Sequence, residues 1–128
     1  MIGLALFALC GCHHAKLPVA VTQEDVAAAQ EEAQKEIRQA QTEARKDVKS
    51  AAKVAGADSR EAAQARVTGA FDIAMARADG VHKVATEKCL TLEPAVQPAC
   101  KDQAEADYAA AANSAKAIRL AQQQRPPQ

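Results

Sequence analysis

The apolar residues between positions 24 and 57 recur with a period of eleven. The repeating positions are Val26, Ala29 and Ala33, then Ile37, Ala40 and Ala44, then Val48, Ala51 and Ala55. Each unit is a β-branched aliphatic residue followed by two alanines. Eleven residues over three turns correspond to about 3.67 residues per turn, close to the 3.6 of a straight α-helix. The pattern therefore predicts a straight or gently right-handed helix over 24–57.

This apolar stripe is narrow, so the helix needs something to pack against. About one aliphatic side chain per turn is too little to offset the entropy of ordering the chain. Basic residues do not flank the stripe strongly, which disfavours a helix lying on a membrane surface. We expect a protein partner or self-association through Val26, Ile37 and Val48, or a helix that is only partly stable alone.

The segment around Gly56 allows two interpretations. Thr22 and Asp25 have the spacing of a capping box at the start of the first helix. Asp58 and Glu61 could cap a second helix in the same way, whereas Gly56 within one uninterrupted helix would cost about 1 kcal/mol. We favour a continuous or slightly kinked helix over 24–88, which would be roughly 95 Å long.

Residues 58–121 have mirror-image apolar spacing about Cys89 and Cys100. Pro94 and Pro98 lie between the two cysteines, where they interrupt one helix and help to start the next. Small and apolar residues follow at steps of 4, 4, 3, 4 and 3 in both directions: Ala85, Val81, Ala78, Ala74 and Phe71 backwards, and Ala104, Tyr108, Ala111, Ala115 and Ile118 forwards. Two antiparallel helices need such spacing for their contact surfaces to meet.

The predicted element is thus an all-α helical hairpin in which these residues form a seam. Its pairs are Cys89 with Cys100, Ala85 with Ala104, Val81 with Tyr108, and Phe71 with Ile118. A disulfide between the cysteines would close the mouth of the loop and stabilise the hairpin by about 3 kcal/mol. A redox-active pair would normally be C-x-x-C. A metal site would have only His82 besides the cysteines, and we expect His82 to be an exposed polar residue beside the seam.

The N-terminal residues resemble an export signal. Residues 1–9 are all apolar or small, a run that is too short to span a bilayer but as long as the apolar region of a signal peptide. The sequence Leu9-Cys10-Gly11-Cys12 is similar to the bacterial lipobox, with Leu9 three positions before Cys12 and Gly11 directly before it. We expect 1–11 to be a signal peptide, Cys12 to be lipidated and 12–23 to be a tether.

This interpretation predicts a location in the cell envelope. His13 stands where Asp would favour retention in the inner membrane, so we expect an outer-membrane lipid anchor facing the periplasm. A soluble periplasmic protein and an uncleaved anchor are the alternatives. No positively charged residue precedes the apolar run, which leaves open whether the chain starts upstream of Met1. Cys10, Cys12, His13 and His14 have neither zinc-finger nor haem-attachment spacing.

The two cysteines lie within a pair of short motifs, K-V-A-x-E-K-C and then C-x-x-x-A-x-A-x-Y, formed by Lys83-Val84-Ala85, Glu87-Lys88-Cys89, Cys100, Ala104, Ala106 and Tyr108. With these motifs the hairpin resembles a module of proteobacterial envelope proteins that have no established activity. The resemblance covers about 30 residues. It implies an exported, disulfide-stapled helical hairpin in the periplasm and implies no chemistry.

Composition supports a helical protein without catalytic function. The chain has 33 alanines but only 22 Leu, Ile, Val and Phe residues, and 16 basic residues balance 16 acidic ones. Three aromatic residues are too few for a deep pocket or for stacking of nucleic-acid bases. No catalytic constellation, phosphate-binding loop, metal site or cofactor site stands out. Residues 122–128 read as a disordered tail.

The sequence therefore predicts a non-catalytic cell-envelope lipoprotein that acts as a structural spacer or protein-interaction module. The alternatives are a periplasmic stress protein that holds client proteins and a phage spanin-like lysis component.

Overall fold

Three helices account for almost all of the residues that the computed structural model describes, which are 21–124. They are α1 (Gln23–Ala55), α2 (Arg60–Leu90) and α3 (Gln97–Gln123). The all-α prediction is confirmed. The expected signal peptide, the expected lipidation site Cys12, most of the expected tether and residues 125–128 lie outside the described residues. Helix α3 continues through residues 122 and 123, where the sequence predicted the start of a disordered tail.

The predicted capping box starts α1. The backbone N–H of Thr22 donates to Asp25 Oδ2 at 2.7 Å, and the backbone N–H of Asp25 donates to Thr22 Oγ1 at 3.3 Å. These bonds satisfy donors that have no partner within the helix. The hydrogen bonds that the Thr22 backbone N–H and hydroxyl donate to the Asp25 carboxylate hold its pKa below the ordinary value of 3.8, and the backbone bond has the larger effect.

The chain folds back at Gly56, so the expected continuous helix over 24–88 is wrong. Gly56 has φ 95° and ψ 152°, a conformation open essentially to glycine alone. Its N–H donates to Ala52 O at 3.0 Å, and the N–H of Ser59 donates to Gly56 O at 3.2 Å. Ser59 then caps α2 by accepting from the Ala62 N–H at 3.1 Å, one residue after the Asp58 expected from the sequence.

The reason for the fold-back is that α2 carries a second eleven-residue repeat that fits the first. Gly80 lies against Ala33, and Gly69 lies against Ala44. A Cβ built on either glycine would come within 2.9 Å and 2.6 Å of the respective alanine Cβ. Each step of eleven residues along α1 is thus matched by eleven residues back along α2. Helix α2 packs along the stripe: Val26 and Ala33 are buried, Ile37 and Val48 are half-buried, and Ala55 at the end of α1 is exposed.

The predicted disulfide between Cys89 and Cys100 is confirmed, and it joins the end of α2 to the start of α3. The Cα atoms of the two cysteines are 5.6 Å apart. Pro98 lies in the first turn of α3, where a missing N–H costs nothing. The Gln97 side-chain amide donates to Leu90 O at 3.3 Å and Leu92 O at 2.9 Å, which closes the loop.

The three helices form an open layer one helix thick. Helices α1 and α3 each pack along α2, and within residues 21–124 they do not approach each other. Helix α2 therefore buries residues toward both neighbours, Gly69 and Gly80 toward α1 and Ala78 and Cys89 toward α3. Within residues 21–124, no further helix covers either broad face of the layer.

Candidate interaction surface

One face of the layer is cut by two parallel grooves, one between α1 and α2 and one between α2 and α3. Four open cavities lie along them. Ala70, Arg77, Val81 and Ala85 of α2 each line one cavity toward α1 and one toward α3, which shows that both grooves open on the same side. We call the residues that line these cavities the grooved face.

The α1–α2 groove contains two cavities built from equivalent residues. One is lined by Ala44, Val48, Gly69 and Ile73, and the other by Ala33, Ile37, Gly80 and Val84, and each has a volume of about 510 Å³. Every residue of one set is eleven positions from its counterpart in the other. At a rise of 1.5 Å per residue, the two cavities are about 16 Å apart.

Basic side chains surround these apolar cavities. Arg45, Lys49, Arg66 and Arg77 border the first cavity, and Lys88 borders the second. Of the described residues, no acidic one lines either cavity. In the described part of the chain, none of these five forms an ion pair within 4.0 Å. Among residues 21–124, only Arg66 of these five forms a side-chain hydrogen bond, which it donates to Ala57 O at 2.6 Å.

The opposite face of the α1–α2 pair carries the paired charges. Glu36 and Lys83 each precede a groove residue by one position, which turns them by about 100° around their helices. Lys83 Nζ lies 2.6 Å from Glu32 Oε2 and 4.0 Å from Glu36 Oε1. The hydrogen bond from Lys83 lowers the pKa of Glu32 below 4.5, and the same bond raises the pKa of Lys83 above 10.5.

The residues predicted for the α2–α3 seam lie partly in it and partly at its edge. Ala78, Ala104 and Ala115 are buried, and Phe71, Ala74, Ala85 and Tyr108 are half-buried. Val81 is 68% exposed and Ile118 is 56% exposed, so both border the cavities from outside, as does Ala111. The contacts between α2 and α3 follow an eleven-residue period. Some contact residues therefore lie one position away from those that the predicted steps of 4, 4, 3, 4 and 3 give.

His82, Ala112 and Arg119 are the seam residues that the sequence analysis missed. The His82 ring lies 5.0 Å from the Tyr108 ring, and His82 Nε2 is 3.1 Å from Glu105 Oε2. The expectation of an exposed His82 is wrong, because only 32% of its side chain is accessible. Arg119 places its guanidinium 4.7 Å from the centre of the Phe71 ring. A search for eleven-residue spacing on all three helices would have indicated this register.

Tyr108 also interacts with an acidic residue of α2. Hydrogen bonding to Asp79, together with its negative charge, raises the pKa of the Tyr108 hydroxyl above 10.0. A carboxylate that accepts a hydrogen bond from a phenol stabilises the neutral phenol and opposes its ionisation. His82, Asp79 and Glu105 thus form a polar cluster around the single tyrosine at the edge of the seam.

The cysteine chemistry of the described residues is structural. Cys89 is 1% exposed and belongs to the disulfide, whereas reactive cysteines are accessible to their substrates. Among residues 21–124, no three His, Cys, Asp or Glu side chains converge to hold a metal ion. None of the three helices is long and apolar enough to cross a membrane.

Comparison with models of protein families, with curated proteins and with solved structures finds no match to this chain.

Proposed function

We propose that the chain is a non-catalytic cell-envelope lipoprotein whose helical layer serves as a protein-interaction module in the periplasm. The observation that carries this proposal is the open grooved face. A layer of three helices would ordinarily cover apolar grooves with a further element, because uncovered apolar surface of this kind marks an interaction site. Lipid on Cys12 would hold the layer at the outer membrane.

The fold-back favours an interaction module over a spacer. Helix α1 has 33 residues and is therefore about 50 Å long, roughly half the length of the continuous rod over 24–88. A protein built for reach would gain little from returning along its own length. Folding back instead brings side chains of α1 and α2 to the same groove.

Site-specific photo-cross-linking in cells tests the interaction. A photoreactive residue at Val81, which is on the grooved face and 68% exposed, should give a discrete adduct with another protein. The matched control is Asp72, which is exposed, belongs to the same helix and lines none of the cavities. Adducts from neither position, or equal adducts from both, would contradict the proposal. Diffuse adducts from both positions would favour a client-holding protein instead.

Intact-mass measurement of the membrane fraction tests the anchor. The expected species begins at Cys12, carries acyl chains and has the mass of an oxidised Cys89–Cys100 pair. Cys12→Ser should remove the acyl mass and release the protein from the membrane. A full-length, unacylated species in the wild type would refute the lipoprotein assignment.

A further inference from the structure

We propose that the α1–α2 groove is the docking site for an acidic amphipathic helix of another protein. The inference rests on the proposed function and names the kind of partner. This helix would lie along the groove between α1 and α2 and convert the local two-helix layer into a three-helix arrangement. Its apolar face would fill the two cavities, and its acidic flanks would meet the basic rim.

The repetition of the cavities indicates a helical partner. The two cavities have the same volume and equivalent lining residues, and they are offset by eleven residues on both α1 and α2. A straight helix returns to the same face after eleven residues, or three turns. A partner with large aliphatic side chains eleven residues apart would therefore place one in each cavity, about 16 Å apart. A lipid acyl chain has no such period.

The cavity walls suit aliphatic side chains. Val48 and Ile73 form the sides of one cavity, and Ile37 and Val84 form the sides of the other. All four are half-buried by the α1–α2 contact and keep a face toward the groove. The floor of the first cavity is the close contact between Ala44 and Gly69, and the floor of the second is the equivalent contact between Ala33 and Gly80. Leucine or isoleucine side chains entering from above would complete the burial that α1 and α2 begin.

The charges of the rim indicate that the partner is acidic. Arg45, Lys49, Arg66, Arg77 and Lys88 line the cavities without any acidic residue among them. The whole chain has equal numbers of acidic and basic residues, so this excess is local. Complementary charge at the rim of an apolar contact steers association and selects the partner. A second copy of the grooved face would bring like charges together, which disfavours a face-to-face dimer.

Fluorescence anisotropy with synthetic peptides tests the inference on the mature lipidated protein in nanodiscs of zwitterionic lipid. The probe is a labelled 26-residue helical peptide with leucines at eleven-residue periodicity and glutamates flanking them. One control peptide has the same composition with shuffled leucine spacing, and another has lysine in place of glutamate. The first should bind at least roughly tenfold more tightly than either control.

Substitutions in the protein locate the site. Arg45→Glu should weaken binding of the acidic peptide at least roughly tenfold, whereas Lys46→Glu, the same charge change on the adjacent residue that lines no cavity, should leave it unchanged. Val48→Gln should weaken binding of the acidic peptide while leaving the basic residues of the rim in place. Circular dichroism of each variant verifies that the helices are retained. Equal effects of the two charge reversals would overturn the inference.

Each remaining outcome also decides the question. Absence of binding, or equal binding of the three peptides, would overturn the acidic-helix inference. Binding of the soluble Cys12→Ser protein to vesicles containing anionic lipid, without binding to the acidic peptide, would assign the groove to the membrane surface. A specific cross-link from Val81 with no peptide binding would refute this inference alone and leave the proposed function intact.

Discussion

Residues without large side chains determine how closely α1 and α2 approach. Gly69 and Gly80 face Ala44 and Ala33, and at both contacts the distance leaves no room for a second methyl group. A glycine in a helix interior costs about 1 kcal/mol relative to alanine. That cost is tolerated here because close approach lets the neighbouring aliphatic side chains bury each other across the two helices.

Replacement of Gly69 by alanine should therefore destabilise the protein despite the better helix propensity. The new Cβ would come within 2.6 Å of Ala44 Cβ and 3.2 Å of its Cα, so the backbones must separate. Overpacking costs about 1–3 kcal/mol, and the propensity gain offsets about 1 kcal/mol, so we expect a net loss of up to about 2 kcal/mol in the free energy of unfolding, measured in urea.

The reciprocal change Ala44→Gly provides the control. In the Gly69→Ala/Ala44→Gly double variant the methyl group has merely changed helix, so most of the lost stability should return. The coupling free energy from the double-mutant cycle should be about 0.5–3 kcal/mol. Additive effects of the two substitutions would show that the two positions do not touch.

The ionisation of Tyr108 should report the α2–α3 seam. Its pKa in the folded protein is raised above 10.0, the value for a free side chain, by Asp79. The associated stability is fully present below pH 10.0 and is lost as the pH rises through the folded-state pKa. Because the chain has one tyrosine and no tryptophan, tyrosinate absorbance follows this residue alone.

Asp79→Asn should shift this titration toward 10.0, since the neutral amide removes the charge that opposes ionisation. Asp107→Asn, on the exposed side of α3 next to the tyrosine in sequence, is the matched control and should move the titration less. An unchanged Tyr108 titration in Asp79→Asn would show that the two side chains do not interact in solution.

At the scale of the helices, local signals were sufficient for the elements but not for their connection. The spacing of Thr22 and Asp25 identified the start of α1, and the mirror spacing about Cys89 and Cys100 identified the hairpin. The break at Gly56 could not be decided locally, because a glycine either interrupts or continues a helix at similar cost. The deciding factor is the contact of Ala44 with Gly69 and of Ala33 with Gly80, which lie 25 and 47 residues apart in the sequence.

The candidate surface was less accessible to prediction for the same reason. Arg45 belongs to α1 and Arg77 to α2, and each is an ordinary solvated charge on its own helix. They share a groove only after the chain folds back. The sequence analysis therefore found no basic flank along the α1 stripe, although the folded pair of helices has one. The contact of Tyr108 with His82, where the sequence predicted Val81, has a related origin. Helix α2 packs against both α1 and α3, so the spacing of its contact residues is set by two neighbours.

Gly56→Ala should destabilise the turn between α1 and α2. At φ 95° and ψ 152° a residue with a Cβ is strained, which costs about 1–3 kcal/mol. We expect a lower midpoint of thermal unfolding by circular dichroism. Ala57→Gly, which adds backbone freedom at the next residue without strain, is the control and should have the smaller effect. An unchanged midpoint in Gly56→Ala would show that the turn adopts another conformation.

Loss of the disulfide should release α3 before the other helices. Helix α3 buries Ala104, Ala112 and Ala115, and within residues 21–124 it packs against α2 alone, so little apolar area holds it. Cys89→Ala combined with Cys100→Ala should cost about 3 kcal/mol. In amide hydrogen exchange, protection should fall in α3 and persist along the α1–α2 contact. Uniform loss of protection over all three helices would show that they unfold as one unit.

For the molecule as a whole, the central question is whether one chain forms the layer by folding back on itself. The alternative with the same local contacts is a pair of straight chains, each a continuous helix over 24–88, that exchange α1 between them. Only the first arrangement makes the grooved face a property of a single chain. The ion pair between Glu32 of α1 and Lys83 of α2 distinguishes the two arrangements. Both residues belong to one chain if the chain folds back, and to different chains if two chains exchange α1.

A zero-length carbodiimide cross-linker should join Glu32 to Lys83 within a monomer. The two side chains are 2.6 Å apart in the folded-back chain, whereas in a continuous helix they would be about 77 Å apart. Mass spectrometry should identify the linked peptides in protein that migrates as a monomer, and Lys83→Arg should remove the link while retaining the charge. The yield should persist down to pH 4.5, the ordinary pKa of Glu32, and fall only as the pH drops through the lower folded-state pKa of this carboxylate, because protonation breaks the pair. Recovery of the link only in cross-linked dimers would show that two chains exchange α1, and the groove would then require two copies of the protein.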